Sequence, residues 1–360
     1  MKKSLFILIA VAINGTNVAN GQGCVAVRTI AGFGQYNQTE NAFSTSKWQI
    51  NINNRYFKAF RDFKDFEDQK TAKSNQSIIR SFSADISATH FLNKGWSINV
   101  SLPLIANRRS ATLEHGGPGT PRYSTNSSGM GDLRLTAYKW LLQPSISQKI
   151  NLQFGLGIKF PTGNYKAEDY FIRNDSTRVL APVNPSIQLG DGGTGIITEF
   201  NGFYIFNKTV SLYGNLYYLF SPKEHNGVFT TAGGPVTDMQ MQTKNFQTSV
   251  TDQYSIRAGI NLNFTSLSLS TGLRHEGVPV YDIIGGSNGT RRAGYNLSLE
   301  PGIIYKIKNI AFYTYLPVIV SRRVKQNVPD KKASELSGIH TVTQGGFANY
   351  LVFAGVAFKL

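Results

Sequence analysis

The sequence predicts an all-β protein: a transmembrane antiparallel β-barrel of about twelve strands, with short periplasmic turns and long extracellular loops. Three features predict it. The chain opens on an export leader, apolar residues recur at every second position over many segments, and the connections alternate between brief and extended.

The leader comes first. Lys2 and Lys3 precede the apolar run LFILIAVAI, which is too short to cross a bilayer, and the small and polar residues NGTNVANGQG follow. That is the pattern of a secretory signal peptide, read over residues 1–23, with cleavage after Ala19, Gly21 or Gly23. A short buried helix is the competing reading of the same run. Residues 24–44 are then a periplasmic N-terminal segment, and residues 45–360 form the barrel. Cys24 is the one cysteine, so no intrachain disulfide can form. Gly21 stands where the lipoprotein pattern wants Leu, so an unpaired periplasmic thiol is expected and a lipid anchor on Cys24 is the alternative.

The formal charge is +16 over 360 residues. In a cytosolic protein that balance points to nucleic acid; export removes this partner. The expected partners are outer-membrane lipid and lipopolysaccharide, the barrel assembly machinery and a small-molecule solute. Arg108, Arg109, Arg322, Arg323, Lys325, Lys331 and Lys332 fall at strand ends or in loops, where a phosphorylated outer leaflet would meet them; a plain solvated surface is the alternative.

No later segment holds the stretch of about eighteen apolar residues that a transmembrane helix needs, so membrane crossing rests on strands. Ile150, Leu152, Phe154, Leu156, Ile158 and Phe160 interleave with Asn151, Gln153, Gly155, Gly157 and Lys159, giving a strand long enough to span at barrel tilt. The same rhythm runs through residues 96–104, 210–220 and 254–262. Weaker copies run through 48–56, 78–90, 133–141, 196–206, 267–273, 295–307 and 312–320. Tyr350, Val352, Ala354, Val356, Phe358 and Leu360 close the chain as a C-terminal strand resembling the outer-membrane assembly signal, although that signal normally ends on Phe or Trp.

Brief turns near 93–95, 144–148, 207–208, 263–266 and 308–309 alternate with polar stretches at 61–75, 108–128, 162–193, 221–249, 276–293 and 322–346. Long and short connections therefore belong to opposite rims, with both termini on the periplasmic side. The long stretches carry Gly, Pro, Asn and Asp, which favours turn chemistry outside the cylinder rather than core. Trp48, Trp96, Tyr204, Phe206, Phe220, Tyr254, Phe264, Tyr295 and Tyr350 sit near strand ends on the apolar faces, as interfacial girdles would; core packing is the other role open to them.

If the apolar set faces lipid, the alternate set lines the lumen. It includes Asp85, Asp132, Arg134, Lys159, Glu199, Arg257, Arg274, Glu276 and Glu300, with Tyr138, Tyr213 and Tyr217. Charges of both signs inside a barrel need partners. They can form a salt-bridge network that stiffens the wall, or Arg134, Arg257 and Arg274 can form a ladder for a polar or anionic solute. The tyrosines can guide rings or pack the interior.

Catalysis, cofactors and metal are not expected. His90, His115, His225, His275 and His340 show no metal-pair spacing, and no His-Glu-x-x-His or Gly-x-Ser-x-Gly string occurs. GPGTPRYS at 117–124 lacks the Lys-Ser/Thr and the strand-to-helix setting of a phosphate loop. Asn37-Gln38-Thr39 carries no glycosylation meaning without a eukaryotic host.

Two stretches, GMGDLRLTAYKWLL from Gly129 and GLGIKFPTGNY from Gly155, resemble outer-membrane proteins of the phenol-degradation meta-pathway family, a transporter-like group. In that family a Gly-Asp pair opens a strand and the next strand closes on Lys-x-Pro-Thr-Gly; the matching residues are Gly131, Asp132, Lys159, Pro161, Thr162 and Gly163. GLRHEGVPVYDIIGGSNGTRRAGY from Gly272 and the closing strand look like relatives from Bacteroidetes-type bacteria. The resemblance implies an outer-membrane barrel of a Gram-negative bacterium that takes up small, hydrophobic or aromatic solutes. A closed structural or surface-binding barrel is the second reading, and an outer-membrane hydrolase the third. Asp132 and Lys159 are placed to pair across adjacent strands.

Overall fold

The computed structural model describes residues 46–70, 75–92, 95–117, 120–142 and 148–360. The expected signal peptide, Cys24, the segment 24–44 and the tips of the turns near 93–94 and 144–147 lie outside the described residues.

Twelve antiparallel strands close on themselves. They are β1 (Trp48–Ala59), β2 (Ile78–Phe91), β3 (Trp96–Ser110), β4 in two segments (Ser124–Met130 and Arg134–Trp140), β5 (Ile150–Lys159) and β6 (Gly195–Ile205). The ring continues through β7 (Val210–Phe220), β8 (Gln253–Asn263), β9 (Leu267–Val278), β10 (Gly294–Leu299 and Gly302–Ile307), β11 (Ile310–Tyr315 and Val318–Val324) and β12 (Tyr350–Lys359). Each strand pairs with its sequence neighbour, and β12 pairs with β1 from Gln49↔Lys359 to Lys58↔Tyr350. Full closure leaves no long unpaired edge for another chain to join.

Alternation decides which way each side chain points. Along β5, Ile150, Leu152, Leu156 and Ile158 are exposed while Asn151 and Lys159 are buried. Some 10 residues at ~3.3 Å each, tilted by ~40°, rise about 25 Å, which matches the apolar band of a bilayer. Exposed Leu and Ile repeat around the whole ring, an apolar surface far larger than a water-soluble monomer tolerates. No helix among the described residues is long and apolar enough to cross a membrane.

The strand ends joined by few residues (Phe91 to Trp96, Trp140 to Ile150, Ile205 to Val210, Asn263 to Leu267, Ile307 to Ile310) lie on one rim with Trp48 and Lys359, and those joined by long connections lie on the other. Trp48, Trp96, Tyr204, Phe206 and Phe264 ring the short-turn rim; Phe220, Tyr254, Tyr295 and Tyr350 ring the other.

Two expectations need correction. Residues 108–128 are not all loop: β3 runs to Ser110 and β4 starts at Ser124, so the wall stands taller there. Nor do all the long stretches lie outside the cylinder. Residues 183–193 fold into it, and Val183 and Ile187 join a buried cluster with Phe57, Ile79, Tyr313, Tyr315 and Phe353. Pro, Asn and Gly suit a turn, but the apolar residues between them gain more by burial than the turn composition suggests. The other long connections carry hairpins and two short helices, α1 (Asp238–Thr243) and α2 (Val328–Ser337), each opened by a capping box.

Candidate functional site: a constricted lumen

The narrowing of the barrel begins where β5 ends. Pro161 and Gly163 interrupt the ladder, and Thr162 Oγ1 accepts from Leu133 N at 2.8 Å while donating to Gly131 O at 2.9 Å. Gly163 N donates to Asp132 Oδ1 at 3.0 Å. The Gly-Asp and Lys-x-Pro-Thr-Gly motifs thus meet in space and turn the chain inward. A Cβ on Gly163 would stand 2.7 Å from Leu189 O, so glycine is needed for this close approach.

Lys159 is the hub. Its Nζ lies 3.3 Å from Asp132 Oδ2, donates to Asp191 Oδ1 and reaches Gly193 O at 2.7 Å. One buried ammonium therefore holds the wall and the inward segment together through two carboxylates. Above it, Asn107 Nδ2 donates to Ile187 O at 3.0 Å, Ser127 Oγ donates to the same carbonyl, and Asn184 Nδ2 donates to Glu114 Oε1 at 3.0 Å. Glu114 also receives Arg109 at 3.0 Å, so the segment is tied to the wall at both ends.

A cavity of about 100 Å³ is bordered by Asp132, Arg134, Lys159, Gln188, Asp191 and Arg292. This is room for a few waters rather than for a sugar or an aromatic ring.

All twelve residues singled out from sequence lie on the buried side of the wall. They form separate groups. Tyr138 Oη donates to Glu199 Oε2 at 2.9 Å, Asn215 Nδ2 donates to Glu199 Oε1 at 2.8 Å, and Arg257 Nη2 donates to Asn215 Oδ1 at 2.9 Å. Arg274 bridges Glu276 at 2.7 Å and Glu300 at 3.1 Å. Arg257 and Arg274 stand directly opposite each other on β8 and β9, each with its own partners. Arg134 and Lys159 are likewise opposite, between β4 and β5. Asp85 lies apart on β2, opposite Asn53 and Pro103.

Tyr213 and Tyr138 lie flat over the wall. Cβ atoms on Gly259 and Gly272 would meet Tyr213 Oη at 2.7 and 2.6 Å, and one on Gly155 would meet the Tyr138 ring at 2.6 Å. Strand glycines here provide seats for inward rings. Tyr217 packs with Ile197 and Leu219.

Sequence reasoning missed Asp191, Arg292, Glu114 and Arg55. Arg55 follows Gln49, Asn51 and Asn53 on the buried face of β1, so the alternation contained its signal. Asp191 sits in a Gly-rich stretch without periodicity, and nothing local announces its partner. The five histidines are dispersed: His90 packs on Trp48, His275 between Tyr254 and Tyr295, His115 on Phe171, and His340 reaches Asp65, while His225 lies in a loop hairpin. Among the described residues, no group of three or more His, Cys, Asp or Glu is placed to hold a metal ion.

No family model matches the chain, and no curated protein matches it. Among solved structures, an outer membrane channel from Pseudomonas putida F1 superposes with a TM-score of 0.58 at 12% identity, over 88% of this chain and 96% of that one. The NanC porin (TM-score 0.42, 8% identity, 86% of this chain and 100% of that one) and a Pseudomonas aeruginosa FadL homologue (0.41, 10%, 95% and 97%) align more loosely and carry no argument. The likeness to the first shows the fold: a closed antiparallel β-barrel of the kind found in outer-membrane proteins.

Proposed function

We propose that this chain is a channel for small solutes in the outer membrane of a Gram-negative bacterium, gated by the inward segment 183–193. The observation that carries the reading is the Lys159–Asp132–Asp191 latch, which holds that segment across a polar interior. A barrel filled only for stiffness needs no loop delivered into it, whereas a gate needs an element that polar contacts can hold and release. Charged groups of both signs around the cavity suit a small polar solute. Aromatic compounds, implied by the motif resemblance, are the solutes to try next. Such a wall would reach the membrane through the barrel assembly machinery.

The small volume of the cavity favours a second reading, a closed barrel whose long loops bind a surface partner. Planar-bilayer recordings of the full chain, beside a variant in which Gly-Ser replaces residues 184–188, separate the two. A gate predicts small conductance in the parent and a severalfold larger one in the variant. Silence from both, together with no solute uptake into proteoliposomes, overturns the channel.

A further inference from the structure

Outside the barrel, on the face away from the lumen, β1, β2 and β3 carry a row of cations. Lys58 stands directly opposite Arg80, and Arg80 directly opposite Arg108. Like charges facing one another across strands destabilise a sheet unless a counter-charge relieves them. Among the described residues no carboxylate is ion-paired with these three side chains; Lys58 rests only on the Phe60 ring at 5.2 Å. One pair step toward the short-turn rim, the facing residues become Tyr56, Phe82 and Ala106, the top of the apolar belt. Tyr56 and Phe82 are 40% and 46% exposed.

The row therefore lies where acyl chains end and headgroups begin, on the long-loop side. A recess of about 780 Å³ touches both levels at Tyr56, Arg80, Phe82 and Arg108 and also takes in inward-facing Ser81 and Asn107, while Lys58 stands outside its lining. Glu168 and Asp169 also line it, and Asp169 Oδ2 accepts from the backbone N of Asn126, the residue directly opposite Arg108, at 2.7 Å. On the opposite side of the ring the corresponding outer positions are apolar or aromatic: Ile158, Ile196, Phe220 and Tyr254.

We propose that Lys58, Arg80 and Arg108 form a binding site for the phosphorylated headgroup of an outer-leaflet glycolipid, whose acyl chains lie on Tyr56, Phe82 and Ala106. Two guanidiniums and an ammonium in one row match a headgroup with two phosphates, each able to take charge-assisted hydrogen bonds from an arginine. The apolar row below supplies the contact that a free phosphate lacks. The site rests on the outer-membrane reading but not on solute passage.

The test uses the full chain in neutral detergent, titrated with bisphosphorylated lipid A, with the same lipid stripped of phosphate, and with inorganic phosphate. Native mass spectrometry counts the bound lipid. The parent should bind lipid A about tenfold or more tightly than does the triple variant Lys58→Ser, Arg80→Ser, Arg108→Ser, and than it binds the stripped lipid. Because the three side chains face outward, the variant should keep the heat-dependent gel shift of a folded barrel; a single Arg108→Ser variant serves if it does not. Equal binding by parent and variant, equal binding of the stripped lipid, or phosphate alone binding as tightly as lipid A would each overturn the site. Conductance in neutral-lipid bilayers should be the same for both proteins, so failure of the channel reading shows separately.

Discussion

Lys159 and its two carboxylates form a buried triad in which every member depends on the others. Removing the ammonium in Lys159→Met leaves Asp132 and Asp191 as buried neighbours without their shared cation, a change of about 3–5 kcal/mol against the closed arrangement. The segment should be held less firmly at this end, and single-channel conductance should rise; an unchanged conductance would show that the triad does not hold the gate. Gly259 offers a second test. A Cβ there would stand 2.4 Å from Thr271 O and 2.7 Å from Tyr213 Oη. Gly259→Val should therefore cost roughly 1–3 kcal/mol, read as a lower midpoint in urea unfolding, and Tyr213→Ala in the same background should recover only part of it, because the clash with Thr271 remains. The sequence alternation placed Lys159, Asp132 and the tyrosines on the interior face. It could not pair Lys159 with Asp191, because that contact spans 32 positions through a stretch without regular period.

Among the elements, the 111–117 loop and the hairpin of Glu168–Ile172 with Arg178–Pro182 are joined through His115. Ile172 N donates to its Nδ1 at 3.0 Å and Phe171 stacks on its ring. Burial holds the His115 pKa below the usual imidazole range, with Arg173 and Arg109 adding to the effect and Glu114 and Asp169 opposing it. The unfolded loop then takes up a proton near pH 6.5 while the folded one does not, so stability here falls as pH drops below that value. Protease nicking at the 173–177 turn should rise between pH 7.5 and 5, and His115→Gln should flatten the response; a response that survives the substitution assigns it elsewhere. Element boundaries read from sequence were good where one face met lipid, as at β5 and β7. They failed at the top of β3 and β4, where Arg108, Asn126 and Ser128 replace apolar residues and the contrast that marks a strand disappears.

At the level of the whole molecule, rim asymmetry predicts an orientation. If the long connections face outward from the cell, Ser287→Cys should react with an impermeant maleimide on intact cells, while Asn207→Cys should react only after lysis; the reverse pattern would invert the barrel. The twelve-strand ring was legible because lipid and lumen impose a two-residue period on every strand. The inward placement of residues 183–193 was not, because such a loop obeys no period and its composition is that of any surface turn.

The first and last strands meet along a ladder whose partners lie some three hundred positions apart in the chain, from Gln49↔Lys359 to Lys58↔Tyr350. Every other wall contact joins nearer segments, so this zipper carries the largest loop-closure cost and belongs at the end of assembly. Until it shuts, both edge strands present open backbone groups, and the nascent ring is as ready to join a neighbour as to join itself.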